Sequence, residues 1–153
     1  GTAVAEADKK LVYGGGDCGL MGKAADGALQ NNGKVIGVFP THMRALEKEH
    51  TRLTEIHLVN TMHERKQMMY DKSDAFVILP GGFGTMDEMF EILTWRQICL
   101  HDKPIIIFNY EGYWDHLVRL MQHIISVGFA RPETRDMYDV ISDFSLLKQR
   151  LGI

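Results

Sequence analysis

Residues 75–93 constrain the fold more than any other stretch. A short apolar run rich in branched and aromatic residues, 75–79 (AFVIL), stops at Pro80. It passes through Gly81, Gly82 and Gly84 and re-emerges as a helical pattern of Met86, Met89, Phe90 and Leu93. The first run suits a buried strand, and Pro80 ends it because proline has no N–H to give to a sheet ladder. The glycines allow a turn that side-chain-bearing residues resist, and they leave backbone N–H groups bare. Thr85 is read as the N-cap of the helix that follows. A strand that enters a glycine turn and then a helix N-terminus makes an anion cradle, since free N–H groups and the helix dipole both favour negative charge. A phosphate is the expected occupant, with Asp87 and Glu88 beside it.

The same unit occurs earlier. Residues 11–33 (LVYGGGDCGLMGKAADGALQNNG) read as a strand, a glycine turn containing Gly15 and Gly16, and a helix from about Leu20 to Asn31. Asn32-Gly33 is its C-cap signal. Further expected elements alternate along the chain: a strand at 34–39 closed by Pro40, a loop with a short helix at 41–54, and a strand at 56–59. A helix follows at 61–72, with Thr61 and Glu64 in capping-box spacing. The helix after the second glycine turn is expected to run to about His101. A strand follows at 105–109, then an amphipathic helix closed by Gly128, an irregular connection, a short strand at Val140-Ile141 and a last helix capped by Asp143. The first ten residues look too short for a normal crossover helix. Strands separated by helices of this length imply parallel βαβ units, hence an α/β, Rossmann-like single domain with helices on both faces of the sheet. Ligands of such sheets bind at the carboxyl ends of the strands, where both glycine turns lie.

Composition narrows the function. A net charge of −3 lacks the basic footprint of a nucleic-acid binder. Nothing approaches the ~18 consecutive apolar residues of a membrane span. Two cysteines, Cys18 and Cys99, are too few and too far apart for a disulfide framework or a zinc site, so a reducing, cytoplasmic setting is expected. The seven histidines are scattered with no H-E-x-x-H, and most are expected at the surface or an interface. Neither glycine turn fits the dinucleotide G-x-G-x-x-G or the triphosphate G-x-x-x-x-G-K-[ST] pattern, so a mononucleotide fits better. The helix after Thr85 carries Phe90, Leu93, Trp95 and Ile98 on more than one side, more than its own sheet can cover, which suggests a dimer interface.

Several of these segments resemble one family. Residues 80–88 (PGGFGTMDE) resemble the PGGxGTxxE motif of the Lonely Guy family, cytokinin-activating nucleoside 5′-monophosphate phosphoribohydrolases often mislabelled as lysine decarboxylases. LVYGGG followed by GLMG, the helix with Met62, Glu64, Arg65 and Lys66, and TWRQ at 94–97 occur in the family's order. The resemblance implies a Rossmann-like homodimer, free of metal and cofactor, that releases base and ribose 5-phosphate from an adenine-type nucleoside monophosphate. Two departures stand out. The family's first strand and its glycine/serine phosphate loop are missing from the N-terminal side, and Asp17-Cys18 occupies a place where small or apolar residues are more usual. A decarboxylase would need a pyridoxal-binding lysine in a much larger fold, which no sequence feature supports.

The resemblance decides between readings that the residues alone leave open. Cleavage of a glycosidic bond develops positive charge on the sugar, which a carboxylate can stabilise while orienting water. Glu88 suits that role, yet Thr85-x-x-Glu88 is also a capping box. The resemblance makes Glu88 catalytic and gives it Arg65 as partner, although an arginine beside Glu64 can equally well just cover a helix face. Lys66 is a weaker neighbour. Gly15, Gly16, Gly81, Gly82, Gly84 and Thr85 are expected to hold the phosphate. Met62 is a candidate for the base pocket, and Glu91 for a ribose hydroxyl or the partner subunit. Asp87 points about 100° away from Glu88 and reads as a bystander. The rival reading is a nucleotide-binding module without catalysis, similar to the molybdenum-cofactor carriers.

Overall fold

A computed structural model describes residues 1–45 and 47–153. The chain divides into two compact units, Gly1–Ser73 with Ile153, and Asp74–Gly152. Each is α/β, with a three-stranded parallel sheet flanked by helices.

In the first unit, helix α1 (Thr2–Glu6) precedes strand β1 (Lys10–Tyr13), so the opening residues do form one short helix, which packs on α2. Helix α2 (Gly19–Gln30) follows the first glycine turn. It ends as Asn32-Gly33 foretells: Asn32 takes φ 58°, and the N–H of Gly33 returns to the carbonyl of Ala28 at 2.8 Å. Strand β2 (Lys34–Pro40) is central, pairs with β1 and with β3 (Glu55–Val59), and is buried after Lys34. Its middle residue is Gly37, because a Cβ there would run into the Leu53 side chain and the backbone of Gly15. Between β2 and β3 the chain makes a 3₁₀ turn (Thr41–Ala45); the rest of the loop expected at 41–54 includes residue 46, which lies outside the described residues. Helix α3 (Met62–Asp71) starts on Thr61, whose hydroxyl accepts the N–H of Glu64, while the Glu64 carboxylate accepts the N–H of Asn60 at 2.8 Å. The capping box therefore forms with its return bond shifted one residue upstream.

In the second unit, strand β4 (Phe76–Ile78) leads into α4 (Phe83–Gln97). Strand β5 (Ile105–Phe108), buried at all four positions, lies between β4 and β6 (Asp139–Ile141). Helix α5 (Asp115–Ser126) buries Leu117, Met121 and Ile125 on one stripe. Helix α6 (Phe144–Leu151) is capped by the Asp143 side chain on the N–H of Leu146, as expected. Two expectations for α4 need correction. Its N-cap is Gly82, not Thr85. It also stops at Gln97, short of His101, because Cys99 turns left-handed at φ 61° and the N–H of Leu100 closes back on the carbonyl of Trp95.

Candidate functional site: two glycine turns of different kinds

The first glycine turn is filled by protein. At the end of β1, Gly15 sits at φ +81°, a conformation that disfavours any side chain. Residues 48–50 lie alongside the turn: Gly16 bridges Glu49, the N–H of Asp17 donates to the carbonyl of Lys48 at 3.1 Å, and the N–H of His50 donates to the carbonyl of Gly15 at 2.9 Å. A Cβ on Gly16 would meet the carboxylate of Glu47, and one on Gly14 would overlap the guanidinium of Arg65. Arg65 is the buried residue of α3, and its Nε donates to the carbonyl of Val38 on β2 at 3.3 Å. Thus Arg65 brings a permanent charge to the first turn, at a place kept open by the absence of a side chain on Gly14. Lys66 and Met62, on the same helix, are half-buried.

Two buried groups at this turn escaped the sequence reading. His50 is 3% exposed, an exception among histidines of which most are expected at the surface or an interface. The N–H of Arg52 donates to its Nδ1 at 3.2 Å, which leaves the proton on Nε2 for Asp26 at 3.3 Å. Asp17 lies 3.8 Å from the same nitrogen. The hydroxyl of Tyr13 is buried without a hydrogen-bond partner, and burial, reinforced by Asp17, Asp26 and Glu47, raises its pKa well above the ordinary value of 10. His50 carried no sequence signal, because 24 residues separate it from Asp26 and only the fold joins them.

The second turn is open. Gly81, Gly82 and Gly84 all lack positive φ, so the backbone does not demand glycine at any of them. At Gly81 packing does: a Cβ would strike the hydroxyl and Cβ of Thr85. At Gly82 and Gly84 a Cβ would meet nothing within 4 Å. With backbone and packing both indifferent, bare approach to the helix N–H groups is the remaining physical reason for glycine there. The N–H groups of the first turn of a helix have no intrahelical partner. Thr85 is the third residue of α4, not its cap, so the Thr85–Glu88 capping box does not form and that structural explanation of Glu88 falls away. Glu88 is half-buried, as is Glu91 one turn on, while Asp87 is exposed. The structure therefore brings Gly81, Gly82, Gly84, Thr85 and Glu88 onto one turn and helix of the second unit, and Gly15, Gly16 and Arg65 onto one turn of the first. No helix among the described residues is long and apolar enough to cross a membrane.

This is an α/β protein with glycine turns at two strand ends, one stiffened and one open. Comparison with known proteins narrows that class. A family model described as "Possible lysine decarboxylase" matches residues 21–151. The cytokinin riboside 5′-monophosphate phosphoribohydrolase of Rhodococcoides fascians is 44% identical over 144 residues, 94% of this chain and 73% of that protein. A probable enzyme of the same name from Oryza sativa subsp. japonica, LOGL9, is 40% identical over 92% of this chain and 62% of its own length. For LOG1 of Arabidopsis thaliana the figures are 39%, 88% and 63%. The chain thus spans less than two thirds of these two plant relatives. Among solved structures, the molybdenum cofactor binding protein of Rippkaea orientalis superposes with a TM-score of 0.70 at 18% identity, over 98% of this chain and 82% of that one. The molybdenum cofactor carrier protein of Chlamydomonas reinhardtii gives 0.68 at 19%, over 99% and 83%. These two likenesses concern the fold. The chain belongs to the "Possible lysine decarboxylase" family, within which its similar relatives bear the phosphoribohydrolase name.

Tyr13 generates a prediction. Its folded pKa lies above the unfolded value, so its contribution to stability is intact below about pH 10 and is lost as pH climbs past the unfolded value towards the folded one. Tyr13→Phe removes both that liability and the unpartnered hydroxyl. Thermal melts should place the variant level with or slightly above the parent near pH 8 and clearly above it near pH 11. A variant that loses stability equally at both pH values contradicts the assignment.

Proposed function

We propose that the chain is a nucleoside 5′-monophosphate phosphoribohydrolase, cleaving the N-glycosidic bond of an adenine-type (cytokinin) nucleotide to give free base and ribose 5-phosphate. The observation that carries this reading is the open turn of Gly82 and Gly84 at the start of α4, with a half-buried carboxylate, Glu88, further along the same helix. The names of the similar relatives agree with it. The 5′-phosphate would sit on the amides of the second turn, beside Thr85. From Gly82 to Glu88 the helix rises about 9 Å, and helical side chains lean back towards the N-terminus. A carboxylate so placed suits a sugar whose phosphate is held at the turn.

In the reaction, the bond from C1′ to the base nitrogen lengthens and the ribose ring gains oxocarbenium character. Glu88 stabilises that charge and takes a proton from the attacking water. The water oxygen bonds to C1′, and the electron pair of the broken C1′–N bond stays on the base. The departing nitrogen takes a proton from solvent, while Glu88 returns to solvent the one it took from the water. Arg65 is the second catalytic assignment, resting on the family resemblance and on the permanent charge it holds at the first turn. Gly15 and Gly16 shape that turn, Lys66 is an auxiliary cation, Met62 lines the base side and Glu91 takes a ribose hydroxyl. The proposed working form is a cytoplasmic homodimer that needs no metal or cofactor. Exposed Ile98 (61%) and Leu100 (62%), just past the end of α4, support the dimer.

Incubation with AMP and with N6-isopentenyl-AMP should release base and ribose 5-phosphate from at least one of them. Tight binding with no release from either would leave a binding module without catalysis. Glu88→Gln should keep AMP affinity within about threefold while kcat falls on the order of 10²–10³; unchanged turnover would reduce Glu88 to packing. Sedimentation should show a dimer that Ile98→Asp converts to monomer, and a monomeric parent would rule this interface out.

A further inference from the structure

The second glycine turn is held from outside by a residue that the reading above does not use. The hydroxyl of Tyr113 donates to the carbonyl of Gly81 at 2.7 Å. Tyr113 is itself fixed by its neighbours. At the end of β5, the N–H of Asn109 donates to the carbonyl of Ile141, its side-chain carbonyl accepts the N–H of Trp114 at 2.6 Å, and its amide donates to Asp115 at 2.8 Å. The N–H of Tyr113 closes on the carbonyl of Tyr110 at 3.0 Å, and its ring stands edge-on to Trp114 at 4.8 Å. The phenol therefore reaches Gly81 from a stapled turn, although half of its surface faces solvent.

The carbonyl it holds belongs to the Gly81–Gly82 peptide, which has no side chain on either flank. Rotating that peptide through half a turn carries φ of Gly82 from −99° into the positive region, which glycine enters about as readily as the negative one. In a planar trans peptide the C=O and N–H point in opposite directions. Fixing the Gly81 oxygen on Tyr113 therefore fixes the Gly82 N–H on the side of the peptide away from the phenol. The flipped peptide would present a carbonyl oxygen there instead, which repels an anion.

We propose that Tyr113 is a positioning residue that locks the Gly81–Gly82 peptide with its N–H turned to the phosphate, an inference that rests on the second turn being the phosphate site. A neutral hydrogen bond of ordinary worth sets the scale of the effect. Tyr113→Phe keeps the ring and removes only the hydroxyl. By calorimetry it should weaken AMP about five- to tenfold, leave adenosine affinity unchanged, lower the melting temperature by no more than about 4 °C, and raise KM with kcat preserved. In protein labelled with 15N-glycine, the Gly82 amide resonance of the free variant should move or broaden relative to the parent. AMP affinity equal to the parent's, an equal loss for AMP and adenosine, or an unaltered Gly82 resonance would each overturn the proposal. The underlying phosphate reading fails separately: parent protein that binds AMP no more tightly than adenosine removes it, and the lock with it, before any variant is made.

Discussion

A parallel strand that delivers the chain through a glycine turn into a helix creates a polarity, and this molecule meets it in two different ways. The strand is buried, so its backbone is committed to its neighbours, while the helix begins with N–H groups that no residue of its own first turn can satisfy. At the end of β1 the chain answers with more chain: residues 48–50 zip onto the glycine turn, and the Arg65 guanidinium fills the place next to Gly14. At the end of β4 it leaves the turn bare around Gly82 and Gly84. The same motif thus gives one stiffened end and one receptive end.

That contrast divides what the sequence revealed from what it hid. Strand and helix order followed from apolar runs and from punctuation by Asn32-Gly33, Pro40, Gly128 and Asp143, because each acts through its own backbone within a few residues. The α4 start was misplaced by three residues because Thr85 is a good cap by type, whereas Gly82 already adopts the extended cap geometry at φ −99° and ψ −154°. Local propensity points to a threonine, and the path of the chain out of β4 overrides it.

The site was legible in the same partial way. Glycines at strand ends announce a backbone-lined cradle, but not which of two cradles is occupied by protein. That answer lies in Glu47, His50 and Arg65, whose approach to residues 14–16 depends on folding a distant loop onto the turn and a distant helix against β2. Tyr113 is equally invisible, since its contact with Gly81 spans 32 residues. Glu88 stood out by motif, and its cap explanation was removed only by the observed start of the helix. Long-range hydrogen bonds carry no periodicity and no spacing rule, which is why contacts such as Tyr113 to Gly81 and His50 to Asp26 leave no trace in the sequence.

Gly37 shows how such an arrangement limits sequence drift. The volume a side chain would need there is shared between the Leu53 methyl and the Gly15 backbone. Trimming Leu53 could make room on one side, but nothing can be trimmed from the backbone on the other. A lineage that alters position 53 still has to move the Gly15 backbone slightly before a side chain fits at 37. The centre of β2 thereby ties any side chain gained at 37 to a change in the shape of the first turn.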